Sequence, residues 1–222
     1  MSEEKDLLLT AQNLWQTYQK KVLTVVGVIA VAIGGYYAYN AFIVAPKEQK
    51  AQEAMFKAED YFGKDSFKLA IDGDGANKGV LYVIKNFSGT KAANLAHYYA
   101  GISYLHLGDF NKAIENLKDF SSDSKPVQMV AYGAMADAYS ELKKNDDAIS
   151  YYKKAASTFI EDELSSAEYL WRAGQLCETL NKNKEALEFY KEIKAKFPKA
   201  KQGEIDKFIY RLSVEKNDLS VN

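Results

Sequence analysis

The chain has 222 residues, of which 47% are hydrophobic, and its formal net charge at pH 7 is −1. This length allows one good core and an additional segment, while the near-neutral charge argues against a nucleic-acid-binding surface. The single cysteine, Cys177, cannot form a disulfide within the chain. One free cysteine is compatible with a reduced compartment and with a periplasmic domain that lacks disulfides, so it does not distinguish the two locations.

Residues 1–21 form a polar segment with an amphipathic pattern. Apolar side chains recur there at helical spacing, namely Leu7, Leu8, Ala11, Leu14, Trp15 and Tyr18. This pattern has two interpretations of equal weight. One is an amphipathic helix that lies on a membrane surface, and the other is a helical extension of the segment that follows.

Residues 22–45 contain no charged side chain over 24 positions. About 20 apolar residues cross a bilayer, so we predict a retained transmembrane helix, with a buried soluble helix as the alternative. Lys20 and Lys21 flank one end, and aromatic residues cluster near the other end, as at a membrane interface. A cleaved signal peptide does not fit, because the run begins late and is too long.

The orientation of the transmembrane helix follows from its flanking charges. Lys20 and Lys21 favour a cytoplasmic N-terminal side, although lysines after the helix weaken the bias. Small residues recur every four positions within the helix, at Ala30, Gly34 and Ala38. This spacing permits close contact with another membrane helix, and an incidental pattern is the alternative.

We predict a degenerate helix pair over residues 46–90. The first helix is predicted over Pro46–Phe62 and the second over Val80–Phe87, with a glycine-rich break over residues 63–79. Within the break, Asp72–Gly75 suggests a calcium loop, but Ala76 stands where an oxygen ligand is required and the closing glutamate is missing. We therefore predict a turn there.

Two helical patterns follow in residues 94–120, separated by Gly108 and Asp109. Gly108 ends the first helix and Asp109 caps the second. The small residues Gly101 and Ala113 stand twelve positions apart, one on each helix, where close packing of an antiparallel pair requires almost no side chain. Such a pair cannot bury its outer faces alone and needs neighbouring pairs.

The same pattern returns twice along the chain. Ala113, Ala148 and Ala186 are spaced by 35 and 38 residues, and each has a small residue twelve positions earlier, at Gly101, Ala136 and Gly174. The pattern resembles the tetratricopeptide repeat and extends over residues 91–198. Lys143 and Asn181 replace the expected turn glycine, and Cys177 replaces an aromatic residue. The alternative is a non-repetitive helical bundle.

Residues 199–222 are predicted to form a capping helix and a polar, frayed tail. The helix presents one apolar face, made of Ile205, Phe208, Ile209 and Leu212, which would cover the end of a repeat stack. The predicted fold is therefore all-α. It consists of one transmembrane helix, an α-solenoid of tetratricopeptide-like helix pairs and a C-terminal capping helix.

No catalytic constellation is found in the sequence. His97 and His106 are nine positions apart and point to opposite sides of one helix, so they form neither a metal pair nor a relay. We find no nucleophile elbow, phosphate-binding loop or cysteine pair. The sequence therefore predicts no enzyme, metal, cofactor, small-molecule substrate or nucleic-acid partner.

The repeat resemblance implies a groove lined by the first helix of each pair. The positions that would face the groove are Tyr98, Ile102, Leu105, Gly133, Asp137, Ser140, Trp171, Gln175 and Glu178. None is a lysine or asparagine, so the carboxylate clamp of chaperone-tail-binding members is not carried over. Exposed Tyr98, Ile102 and Trp171 would suit a protein partner. The alternative is that they pack against the N-terminal pair or the terminal helix.

The combination of one membrane helix and a small repeat domain resembles the YfgM-type family of ancillary Sec translocon subunits. That resemblance implies a single-pass protein of the bacterial inner membrane with a cytoplasmic N-terminus and a periplasmic repeat domain. It also implies contacts with translocon subunits, translocating or unfolded envelope proteins and chaperones. Alternatives are a scaffold that binds one folded subunit of a secretion, envelope or division complex, and a cytoplasm-facing adaptor.

Overall fold

The computed structural model describes residues 2–201 and 203–215. Over these residues the regular structure is helical, with one isolated antiparallel bridge between Gly73 and Lys78. The chain divides into two compact units, the first ending at Lys50 and the second beginning at Ala51. The predicted all-α class with an apolar N-terminal helix and helical repeats is confirmed.

The first unit contains the apolar N-terminal helix. Helix α1 (Ser2–Tyr39) is followed by a π-helical segment (Asn40–Val44), and its side chains are solvent-exposed along the apolar stretch. In the described part of the chain, one helical stretch, Leu7–Gly63, is long and apolar enough to cross a membrane. The apolar stripe between Leu7 and Tyr18 lies within α1, and both interpretations of this stripe place it in a helix.

The N-terminal side of the repeats has one more helix than the sequence indicates. Helix α2 (Ala45–Gly63) is followed by α3 (Phe67–Asp72) and α4 (Val80–Asn86). The predicted break therefore contains a short helix. Two of its own side chains, Ala70 and Ile71, are buried.

The predicted turn after α3 is confirmed, and hydrogen bonds to the side chain of Asp74 hold it in place. The carboxylate of Asp74 accepts hydrogen bonds from the Tyr61 hydroxyl at 2.6 Å and from the Asn77 backbone N–H at 2.6 Å. These donors hold the pKa of Asp74 well below its usual value, the Tyr61 bond having the largest effect.

Three helix pairs and a final helix complete the second unit. The pairs are α5 (Lys91–His106) with α6 (Phe110–Asp119), α7 (Lys125–Glu141) with α8 (Asn145–Thr158), and α9 (Glu163–Thr179) with α10 (Asn183–Lys196). Helix α11 (Glu204–Glu215) follows. Thr90 and Asp109 cap α5 and α6 as predicted, by accepting hydrogen bonds from the backbone N–H groups of Ala93 and Lys112.

The turns inside the three pairs have one geometry. Gly108, Lys143 and Asn181 adopt φ values of +78°, +59° and +57°. In each turn the next N–H donates to the carbonyl of Tyr104, Tyr139 or Cys177, at 2.9, 2.9 and 2.8 Å. This is the Schellman arrangement of a helix C-terminus. The replacement of glycine by lysine and asparagine therefore leaves the repeat geometry unchanged.

The small residues of the first helices allow the two helices of a pair to approach closely. A Cβ atom on Gly101 would lie 2.5 Å from Leu117 Cγ and 3.2 Å from the Ala113 carbonyl oxygen. A Cβ atom on Gly174 would lie 2.5 Å from Tyr190 Cε1. The predicted close approach between Gly101 and its paired alanine, Ala113, is confirmed. In the first and third pairs, the side chain four positions after the alanine, Leu117 or Tyr190, occupies the space that the glycine leaves.

Helix α11 covers the end of the last pair as predicted. Ile205, Ile209 and Leu212 are buried, and Phe208 lies on Trp171 with ring centroids 4.4 Å apart. The polar tail beyond Glu215 lies outside the described residues.

Candidate protein-binding surface

The groove positions of the first pair pack largely within the protein. Ile102 is 9% exposed, and Leu105 is half-buried. The ring of Tyr98 contacts that of Phe120, with centroids 5.1 Å apart, and burial raises the pKa of Tyr98. The expectation of an open apolar surface is therefore wrong for Ile102, while Tyr98 and Leu105 keep partial access to solvent.

The groove positions of the second pair are polar and have partners inside the chain. Asp137 accepts a hydrogen bond of 2.5 Å from the hydroxyl of Tyr152. Both carboxylate oxygens of Asp137 also lie 3.2 Å from Arg172 Nη1. Gly133 is covered by Tyr169, since a Cβ atom there would lie 2.3 Å from that ring. Ser140 is half-buried.

The groove positions of the third pair divide into buried and open ones. Trp171 is 7% exposed, so the expectation that it faces a partner is wrong. Its ring contacts Tyr190 and Phe208, because α11 packs on this part of α9. Glu178 accepts a hydrogen bond of 2.6 Å from Tyr190 and pairs with Arg211. Gln175 is exposed.

Two of these contacts form matching triads. Tyr152, Asp137 and Arg172 make the first, and Tyr190, Glu178 and Arg211 make the second. In each triad a tyrosine of the second helix and an arginine of the next element bind one carboxylate of the first helix. The two carboxylates predicted for the groove, Asp137 and Glu178, are therefore already paired with arginines of the same chain. Leu117 takes the tyrosine position in the first pair.

The triads keep their tyrosines protonated. Burial, followed by the hydrogen bond to the carboxylate, raises the pKa of both Tyr152 and Tyr190 well above the usual value of 10.0. A neutral hydroxyl can donate to the carboxylate, whereas a phenolate would repel it. Each triad therefore keeps its hydroxyl donor to a higher pH than an exposed tyrosine would.

An open stripe on α9 is the surface that the sequence reasoning missed. It consists of the exposed Leu164, Arg172 and Gln175 and of the half-buried Glu168, which pairs with Arg172 and Lys201, and the four follow one another at helical spacing. Leu164 is 72% exposed. A cleft of about 250 Å³ lies along its first part and includes Tyr169. Periodicity alone does not reveal this stripe, because an apolar residue in the first turn of a helix is usually assigned to the core.

The remaining sequence candidates do not come together into a chemical site. His97 Nδ1 lies 3.2 Å from Asn116 Oδ1, and His106 stacks on Phe67 with centroids 4.3 Å apart. Cys177 is buried, and burial raises the pKa of its thiol to about 11. Over the described residues, no group of three or more His, Cys, Asp or Glu side chains could hold a metal ion.

The small residues of the apolar helix lie on its exposed surface. Ala30, Gly34 and Ala38 are exposed in α1. A Cβ atom on Gly34 would meet no atom within 4 Å. Their contact with another membrane helix stays a prediction.

Two family models match the helix pairs. One tetratricopeptide-repeat model matches residues 95–123 and another matches residues 127–197. No curated protein sequence matches the chain at a significant level. The matched residues cover the three pairs whose turns share one geometry. The chain therefore carries tetratricopeptide repeats, whose general role is to bind other proteins.

Proposed function

We propose that this chain is a single-pass membrane protein whose repeats bind protein segments, and that it works by recognition rather than catalysis. The observation that carries the proposal is the presence of both parts in one chain. An uncharged stretch long enough to span a bilayer precedes three tetratricopeptide-type helix pairs. Tethering raises the effective concentration of a binding surface for any partner in the same membrane.

The anchor is assigned to residues 22–45. The side chains along this stretch are uncharged and mostly apolar, and the most apolar window has no buried residue. A soluble protein would cover such a surface with other elements. Lys20 and Lys21 favour a cytoplasmic N-terminal side, so we place the repeats in the periplasm of a bacterial inner-membrane protein.

The binding surface is assigned to those residues of the first helices that remain at least partly accessible to solvent. These are the α9 stripe, together with the half-buried Tyr98, Leu105 and Ser140. Leu164 supplies an apolar contact, Gln175 supplies hydrogen-bonding groups, and Arg172 is shared with Asp137. A surface with one apolar residue and adaptable polar groups suits weak binding of varied segments. This favours a docking or chaperone-like factor for envelope proteins at the translocon.

A scaffold or assembly factor of a secretion, envelope or division complex is the second candidate. The observation that favours it is the exposed small-residue face of Ala30, Gly34 and Ala38. Small residues let two membrane helices approach closely. A scaffold would hold one folded partner in fixed stoichiometry.

Site-specific photocrosslinking in cells distinguishes these functions. A photoreactive amino acid replaces the exposed Gln175, and Glu115 in α6 serves as the matched exposed control site. Crosslinks from Gln175 to translocon subunits and to many newly made envelope proteins support the docking function. A single folded partner supports the scaffold. Equal yields from both positions would contradict binding at the α9 stripe.

The proposed topology has its own test. Cys177 is buried, so single cysteines introduced by Thr10→Cys and Asn111→Cys report their own accessibility. A membrane-impermeant maleimide added to cells with a permeabilised outer membrane should label the cysteine at position 111 and leave that at position 10 unlabelled. The reverse pattern would establish a cytoplasm-facing adaptor.

A further inference from the structure

One face of α1 near its N-terminus is apolar and open to solvent. We name this face the N-terminal stripe, and it consists of Leu7, Leu8, Ala11, Leu14, Trp15 and Tyr18. Leu7 is 70% exposed, Trp15 is 55% exposed and Tyr18 is 49% exposed. Large apolar side chains that lie side by side in this way mark a surface that another surface covers.

The N-terminal stripe lies outside the bilayer in the proposed topology. As a helix, the uncharged stretch 22–45 is about 36 Å long, whereas the hydrocarbon core of a bilayer is about 30 Å thick. Lys20 and Lys21 separate this stretch from the stripe. Water therefore surrounds the stripe, and the inference drawn from it rests on the membrane anchor of the proposed function.

The backbone of α1 makes it unfavourable for the stripe to lie on the bilayer surface. The helix runs without interruption from Ser2 to Tyr39, no glycine or proline precedes Gly27, and the π-helical segment begins only at Asn40. Sharp helix kinks require one of these features. Helices that lie on a bilayer are also rich in lysine and arginine on their polar face, whereas residues 7–19 contain no charged side chain. In an anchored chain the stripe therefore projects from the bilayer.

The spacing within the stripe is that of a seam between two parallel helices. Leu8, Ala11, Trp15 and Tyr18 follow one another at alternating steps of three and four positions. The same alternation continues into the uncharged stretch, at Val22, Val25, Ile29 and Ala32. A heptad pattern of this kind keeps one face of a helix against its partner along its length. The seam outside the bilayer is therefore continuous with one inside it.

The uncharged borders of the stripe favour a second copy of this chain as the partner. Gln12 and Gln19 flank the seam, at positions where charged residues usually select a different partner chain. An amide both donates and accepts hydrogen bonds, so identical borders are compatible with each other. Copies anchored in one membrane are also parallel and at the same depth, which brings equivalent residues together at high effective concentration.

The area of the stripe is sufficient for such a pair. Its leucines are exposed as well as its aromatic residues, with Leu8 at 64% and Leu14 at 56%. Covering the stripes of two helices removes on the order of 1,000 Å² of surface from water, which reaches the size of a specific interface.

We propose that the N-terminal stripes of two copies pack against each other as a parallel coiled coil beside the bilayer. Trp15 and Tyr18 supply the aromatic contacts. The small-residue face of Ala30, Gly34 and Ala38 lies about 140° around the helix from the stripe, so pairing leaves that face open to another membrane helix. The pair also presents two repeat domains together, which strengthens weak binding to a partner through avidity.

Disulfide crosslinking of the full chain in isolated membranes tests the pairing. Single cysteines are introduced on the stripe by Ala11→Cys and Tyr18→Cys, and on the opposite face by Asn13→Cys and Gln16→Cys. After oxidation with copper phenanthroline, the stripe variants should give at least about fivefold more covalent dimer than the others, because a disulfide needs Cβ atoms about 4 Å apart. The native chain gives the background, since its Cys177 is buried.

A charge placed at the seam provides a matched pair of variants. In the chain with Ala11→Cys, the substitution Trp15→Glu should lower the dimer yield at least about fivefold, because two carboxylates would meet without a counter-charge. Asn13→Glu adds the same charge on the opposite face and should leave the yield unchanged. Circular dichroism checks that both variants keep their helix content.

Three results would overturn the pairing and leave the anchor intact. They are equal dimer yields from all four cysteine positions, stripe crosslinks to a different protein in place of a second copy, and strong quenching of Trp15 by brominated lipids. The signal of Trp15 is the fluorescence lost in Trp15→Phe, and its quenching would place the stripe on the bilayer surface. Release of the chain by alkaline carbonate would instead contradict the anchor, and the pairing with it.

Discussion

Tyr152 in α8 donates a hydrogen bond of 2.5 Å to Asp137 in α7, the first helix of its own pair. Arg172 of the next pair binds the same carboxylate. One acidic residue therefore joins the two helices of a repeat and links that repeat to the following one. The equivalent contacts of Tyr190, Glu178 and Arg211 link the last pair to α11.

Removal of one tyrosine hydroxyl should measure the strength of this link. We expect Tyr152→Phe to lower the free energy of unfolding by about 1 kcal/mol, because Asp137 loses a donor but keeps Arg172. Urea denaturation followed by circular dichroism gives the value. Tyr210→Phe is the control, since Tyr210 is 68% exposed, and its effect should be close to zero. Equal effects of the two substitutions would contradict a structural role for the triad.

The triads also predict a loss of stability at alkaline pH. The pKa values of Tyr152 and Tyr190 are raised in the folded state above the usual value of 10.0. Above pH 10 the unfolded chain loses these protons while the folded chain retains them, so unfolding becomes more favourable as pH rises. The stabilisation is complete below pH 10 and is lost towards the folded pKa values.

A double substitution isolates the tyrosine contribution to this pH dependence. Tyr152→Phe with Tyr190→Phe removes both titrating hydroxyls and leaves the lysines unchanged. Between pH 9 and pH 11 the Tm of the native chain should fall further than that of the double variant, by roughly 3 °C, which corresponds to about 1 kcal/mol. Parallel decreases in the two proteins would assign the alkaline loss to other groups.

The close approach at Gly101 predicts a specific cost of one methyl group. A Cβ atom there would lie 2.5 Å from Leu117 Cγ, so Gly101→Ala should destabilise the fold by about 1–3 kcal/mol through overpacking. The control is Gly63→Ala, where a Cβ atom meets nothing within 4 Å. The control should be neutral or slightly stabilising, because alanine favours the helix. A neutral Gly101→Ala in denaturant titrations would show that the helices of this pair are not closely packed.

The environment of Cys177 predicts an inert thiol. Burial raises its pKa to about 11, so little thiolate forms at pH 8, and the side chain is shielded from reagents. Reaction with a maleimide at pH 8 should be at least about 100-fold slower in the native chain than in guanidinium chloride. Rapid labelling without denaturant would show that the core of the last pair opens readily.

The repeats could be predicted from the sequence because their spacing reports local geometry. Gly101 and Gly174 lie where the two helices of a pair approach closely. Lys143 and Asn181 adopt a left-handed backbone conformation, which preserves the turn geometry where glycine is missing. The face of α11 was predictable for the same reason, since Ile205, Ile209 and Leu212 follow helical periodicity.

The open surface could not be predicted, because exposure depends on which element packs over each helix. Trp171 fits the groove pattern of a repeat, but α11 covers it. Asp137 and Arg172 are 35 residues apart, and no local pattern indicates that they pair. Helix α3 is only 6 residues long, so its periodicity is too short to recognise within a glycine-rich stretch.

Retention of the full chain in membranes is the most direct test of the central claim, which is that residues 22–45 anchor a protein-binding repeat domain to a bilayer. Membranes from cells that make the full chain are washed with alkaline carbonate and collected by centrifugation. The account predicts that the chain stays in the membrane pellet and enters solution only with detergent. A chain that is released by the wash and remains monomeric and soluble without detergent would contradict it.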